Sequence, residues 1–267
     1  MYNDIEKSHG LLMDGGIPDA YNNVLWTPGL INAARASIAL QIAYAQIQYR
    51  GSGTPEVGIG GRLDRNYWRA YTLTGAGVLA DDTVDAQSST TNDFPLEVAA
   101  DANSGWMVAA THLFNAIDLL ISTASTGTNP VRTLEYSGPA GWVAISNALV
   151  PPVTGAHYLT GENLILWSMP QDWTALTEAL HGTGVPEGWY GIRSRSTTVP
   201  GTVQALAKSM SVARVKSLKD ITATAGIYTW NPAMGPLHID APCDALVGVC
   251  SVAHDANQFS ALVKQRG

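Results

Sequence analysis

Charge is what this chain most lacks. Asp, Glu, Lys and Arg make up 14% of its 267 residues, against roughly 25% in ordinary soluble chains, so part of its surface is expected to lie under neighbours. Lysine is missing altogether between Lys7 and Lys208. That leaves arginine, the cation better suited to interfaces, for the long middle of the chain, although compositional drift would give the same bias. The formal net charge is −7, which argues against nucleic-acid binding, since that usually leaves a basic footprint. The most apolar runs, LLIS and LILW, fall far short of the roughly 20 residues that a bilayer-crossing helix requires, so no membrane contact is expected. MYNDIEKSHG carries acidic residues and no apolar stretch, and does not read as a secretory leader.

Cysteine is nearly absent too. Cys243 and Cys250 lie seven apart, a spacing that on one strand points them to opposite faces. Two free thiols in a reducing cytoplasm are expected, and a zinc site is not.

Motifs that carry chemistry are equally sparse. The histidines at 9, 112, 157, 181, 238 and 254 stand singly, without metal-ligand spacing. GIGG (58–61) lacks the lysine of a phosphate loop, and no nucleophile elbow occurs. Asp81, Asp82 and Asp85 offer oxygens but lack the glycine and glutamate of a calcium loop, so they read as a solvated acidic turn. Adjacent His254 and Asp255 point apart on an extended strand. Glu135 and Glu162 are the carboxylates a glycan hydrolase would need to pair, and nothing in the sequence pairs them. No catalytic, cofactor-binding or metal-binding residue is assigned, no cofactor is expected, and the chain does not read as an enzyme.

What the chain does have is short apolar or alternating runs separated by Gly, Pro, Asn, Ser and Thr. YWRAYTLTGAG, WMVAATHLFNAIDLLISTAS, VRTLEYSG, GWVAIS, ENLILWSMP and GWYGIRSRSTT follow one another in this way, which favours a sandwich over alternating strands and helices. In INAARASIALQIAYAQIQYRGSG the alternation of Ile38, Leu40, Ile42 and Tyr44 predicts strands, with a helix as the alternative. DWTALTEAL predicts one short helix near 172–180, with Asp172 as its N-cap. The reading is all-β, an antiparallel β-sandwich or jelly-roll-like fold. It divides into an N-terminal arm (1–29), N-terminal strands (30–80), a sandwich module (81–199) and a C-terminal β segment (200–267).

GENLILWSMPQDW (161–173) bears most directly on packing. Leu164 and Leu166 should face one side and Ile165 and Trp167 the other, so the strand is apolar on both faces and is expected to be buried or to lie beneath a neighbouring subunit. Pro170 then ends the pairing, and Trp173 folds over the open end of the core. Most of the eight tryptophans (Trp26, Trp68, Trp106, Trp142, Trp167, Trp173, Trp189 and Trp230) fall within such strands, where packing is the default and an exposed sugar-binding platform the alternative. The cations Lys208, Arg214, Lys216 and Lys219 suit a solvated edge strand, with a contact to capsid-lining acids or DNA as the alternative.

From about Asp81 to Thr198, the order DDTVDAQSSTTNDFPL, LFNAIDLLISTASTGT, LEYSGPAGWVAIS, GENLILWSMPQDW and GWYGIRSRST resembles a β-sandwich module of structural proteins from tailed bacteriophages. In this chain EYSGPAGW carries Ser137 and Pro139 where the family more usually has larger residues. The resemblance implies a virion protein assembled in the host bacterial cytoplasm, most simply a head decoration or accessory protein. Its expected partners are other virion proteins and further copies of itself. The alternative is a tail-fibre or baseplate module that binds a receptor or host surface glycan. The aromatic arm, lacking its own periodicity, is expected to dock on an adjacent subunit.

Overall fold

The computed structural model describes backbone and side chains for residues 63–88, 94–124, 132–146, 160 and 165–215, and elsewhere the backbone of the strands named below. The chain forms two compact units, Leu63–Arg214 and a second built from Met1–Arg62 with Val215–Gly267. In chain order the strands begin with β1 (Met13–Gly16), β2 (Leu25–Trp26), β3 (Leu40–Tyr49) and β4 (Pro55–Arg62). Next come β5 (Trp68–Leu73), β6 (Leu79–Asp81), β7 (Phe94–Pro95), β8 (Gly105–Ala110) and β9 (Ala116–Thr123). They continue with β10 (Arg132–Gly138), β11 (Gly141–Ala144), β12 (Gly161–Leu166), β13 (Tyr190–Ser196) and β14 (Leu206–Asp220). The last are β15 (Gly226–Trp230), β16 (Leu237–Ile239), β17 (Asp244–Cys250) and β18 (Gln258–Gln265). The architecture is all-β and antiparallel, as expected.

In the unit formed by the two chain ends, β3 pairs with β18, β15 and β16, and β18 also pairs with β1. β17 pairs with β4 and β2. The alternating segment 40–49 is therefore strand rather than helix. The segment read as an arm contributes β1 and β2 to ladders within its own chain.

The Leu63–Arg214 unit is a two-layer sandwich. One sheet has the order β11-β10-β13-β8-β5-β6; facing it, β12 pairs with β9, β9 with β14, and β14 with β7. Period-two alternation sends Trp68 and Ala70 of β5, Trp106 and Val108 of β8, Leu134 and Tyr136 of β10, and Ile192 of β13 inward. They meet Ile117, Leu119 and Ile121 of β9 and Met210 and Val212 of β14. Each large side chain buried there contributes about 1.5–3 kcal/mol. Within WMVAATHLFNAIDLLISTAS, the segment 111–115 separates β8 from β9, and its two halves go to opposite layers. β14, read as a solvated edge, instead buries Ala207, Met210, Val212 and Ala213. Lys208 is half-buried and Arg214 exposed, while the side chains of Lys216 and Lys219 lie outside the described residues.

The 161–173 stretch packs as its alternation requires. Ile165, Leu166 and Trp167 are all buried, and the Trp167 N–H still reaches the Asn115 carbonyl at 3.1 Å before the chain turns away. Trp173 closes the core against Phe114, with ring centroids 5.3 Å apart, and its indole N–H donates to Ser137 Oγ at 2.9 Å.

The short helix falls at the end of the expected stretch and starts later than expected. α2 spans Glu178–His181 and is preceded by Thr177, not Asp172. Residues 174–176 run beside the sheet instead: Thr174 N–H donates to Ser137 O and Leu176 N–H to Trp189 O. Backbone groups bonded to the sheet cannot also form helical bonds. Asp172 accepts the Tyr136 hydroxyl at 2.8 Å. A further helix, α1 (Thr83–Gln87), occupies the acidic turn.

Candidate functional site

One residue along from the core-facing positions, the same strands present an outer face. Strand register aligns Glu135 with Arg193, Arg193 with Met107, and Met107 with Tyr71 across β10, β13, β8 and β5. The segment 174–189 lies over part of this row, packing Leu176 and Val185 against Tyr71, Met107 and Ala109. A Cβ on Gly191 would sit 2.8 Å from the Leu176 side chain, so glycine there lets Leu176 lie on the sheet.

Ser137 fastens this segment. Its hydroxyl accepts from the Trp173 indole and from Gly191 N–H at 3.1 Å, and donates to Thr174 O at 2.6 Å. His181, the buried last residue of α2, is the second fastening. Its Nδ1 accepts from Thr177 N–H at 3.1 Å and its Nε2 lies 3.2 Å from Gly138 O. The tautomer that satisfies both carries its proton on Nε2. The Trp142 indole N–H donates to His181 O at 2.9 Å, and the two rings meet edge to face.

Between these fastenings lies a charged group. The Glu135 carboxylate accepts from Arg193 Nε at 2.6 Å and from Arg195 Nε and Nη2 at 2.9 and 3.1 Å. Burial pushes the Glu135 carboxyl up, but hydrogen bonds from Arg195 and Arg193 and their charges outweigh it, leaving the group below its ordinary value. For Arg193, burial lowers the guanidinium pKa despite the bond to Glu135. Arg193 also stacks on Trp142, its Cζ 4.3 Å from the ring centroid, and Arg69 lies similarly over Trp189 at 5.3 Å.

Arg193 and Met107 line a small cleft with Trp142, His181, Thr183 and Leu79. Its free space is about 20 Å³, room for little more than one water-sized oxygen. A second carboxylate, Glu97, is fully buried; it pairs with Arg132 and accepts from Ala205 N–H at 3.2 Å.

Of the residues singled out in the sequence, Asp81 accepts from both the backbone and the hydroxyl of Thr83, Asp82 precedes α1, and Asp85 lies within it. No cluster of three or more metal-ligating side chains occurs among the described residues. Glu135 is bound by arginines; the Glu162 side chain lies outside the described residues, as do those of Cys243, Cys250, His254 and Asp255. Trp68, Trp106, Trp167 and Trp173 are buried core, whereas Trp142 and Trp189 are half-buried on the outer face. The side chains of Trp26 and Trp230 lie outside the described residues. The sequence reading noted Ser137 and His181 without giving them a role, and missed Arg193 and Arg195. The run GIRSRS carried one usable signal, because two arginines two apart on a strand share a face.

The chain matches no protein-family model, and no curated protein matches it.

Proposed function

We propose that this chain is a structural protein of a tailed-bacteriophage virion, a head decoration or accessory protein that acts through contacts with other virion proteins and with further copies of itself. The observation that carries this reading is the use made of the polar groups on the outer face. Glu135, Ser137 and His181 are spent on holding segment 174–189 and strands β10 and β13 together, as a rigid load-carrying body requires. The scarcity of charge supports a surface that meets neighbours, and the resemblance across 81–198 supplies the phage context. Assembly would take place in the host cytoplasm, with the mature protein on the virion.

A receptor- or glycan-binding role on a tail fibre or baseplate draws its support from the half-exposed Trp142 and Trp189. An arginine already covers one face of each ring, which favours the assembly reading. Antibody against the recombinant chain, applied to tailed particles purified from the bacterium that carries the gene, tests it. Regular labelling of heads is expected. Label confined to fibres or baseplate would favour the glycan-binding reading, and unlabelled particles would sink both.

A further inference from the structure

We infer that the cleft over Arg193 is a carboxylate-binding site, and that its natural occupant is an Asp or Glu side chain of a neighbouring polypeptide. The identity of that neighbour rests on the assembly reading above; the site itself does not.

The Arg193 guanidinium has its face on Trp142 and its Nε on Glu135. Its two terminal nitrogens take no partner among the described residues, although the side chain is only 18% exposed. They open on the cleft, where a charged acceptor would complete the hydrogen bonding of the fork. Glu135 cannot serve it further, because Arg195 takes Oε1 and shares Oε2. One carboxylate thus stands between two guanidiniums, leaving an excess positive charge. None of the other groups lining the cleft is acidic. The planar fork of N–H groups matches a carboxylate in geometry and charge.

Size and charge narrow the ligand. About 20 Å³ admits the leading oxygen of a carboxylate carried on a short stem. The chain carries 22 acidic against 15 basic side chains, so copies of it present acidic groups in excess, complementary to this one cationic cleft.

The test uses the full chain with its arginines labelled with nitrogen-15 and N-acetyl-aspartate N-methylamide as the probe. A saturable shift of the Arg193 Nε–H resonance is expected, with none from the asparagine analogue. Arg193→Lys keeps the charge and loses the fork, and should weaken binding at least about tenfold. Thr183→Glu, at the exposed rim, should fill the cleft from within and abolish the shift while the far-ultraviolet spectrum is retained. It keeps the question open to refutation if the lysine variant fails to fold. No shift in the parent chain, an equal shift from the asparagine analogue, or equal competition by chloride would overturn the site. Tighter binding of glucuronate than of the aspartyl probe would overturn the polypeptide as its source. If the probe binds while Thr183→Glu protein joins particles as the parent does, the site stands and its role in assembly falls. If the probe binds but particles contain no copy of the chain, the virion reading alone falls.

Discussion

On its inner face the six-stranded sheet presents Trp68, Trp106, Leu134, Tyr136 and Ile192 to the opposing layer. On its outer face, one position along the same strands, it presents Tyr71, Met107, Glu135, Ser137 and Arg193. The inner contacts are non-directional and scale with the apolar area removed from water. The outer contacts are few and directional, and each depends on one particular atom: Ser137 Oγ for Trp173, Thr174 and Gly191, and the Glu135 carboxylate for both arginines. The two sides of one sheet should therefore fail differently. The inner side should respond to lost volume, the outer side to a single lost polar group or proton.

The largest effect is expected inside. Trp106→Ala removes a fully buried indole and should destabilise the chain by about 3–5 kcal/mol, read as a drop in the urea midpoint. A loss under about 1 kcal/mol would mean that the sandwich core is not the main source of stability. On the outer side, Ser137→Ala leaves the Trp173 indole N–H and the Gly191 N–H without their acceptor, and should cost about 1–3 kcal/mol despite removing a single oxygen. The same urea midpoint reads it, with tryptophan emission reporting the loosened indole.

Glu135→Gln should cost roughly 1–3 kcal/mol at neutral pH, because it leaves Arg193 and Arg195 as like charges side by side. This penalty should depend on pH in a definite direction. The folded-state pKa of Glu135 lies below its unfolded value of 4.5, so its stabilisation is fully present above that value and is lost as pH falls through the folded one. Urea midpoints of the parent and the Gln variant should therefore converge in acid, while the gap between the parent and Trp106→Ala keeps its size. A gap for Glu135→Gln that is constant from neutral to acid pH would remove the charge from the account.

The smallest effect sharpens the contrast from the other direction. Thr177 Oγ1 is buried without a hydrogen-bond partner, so Thr177→Val should lie within about 0.5 kcal/mol of the parent or gain slightly, since the hydroxyl contributes nothing that a methyl group would not. A marked loss in thermal melting would show that this hydroxyl serves a contact of its own.

Period-two alternation and turn residues were enough to read the chain as an antiparallel all-β protein, because strands buried on one or both faces must carry that pattern. The same local logic was right that GENLILWSMPQDW packs two indoles into a core. It placed the short helix in the right stretch but started it too early, since DWTALTEAL turns helical only from Glu178 once Ser137 and Trp189 have captured the backbone of Thr174 and Leu176. It also left Glu135 without a partner. That Arg193 and Arg195 share a face follows from spacing alone, but that Glu135 stands opposite them depends on the register between β10 and β13, and residues 58 and 60 positions away in sequence carry no local mark of it. What the sequence determined by itself was the kind of element and which side of each would be apolar, since both follow from interactions between near neighbours and solvent. Only the tertiary structure decided which polar groups meet, because pairing across strands is set by how the whole sandwich closes.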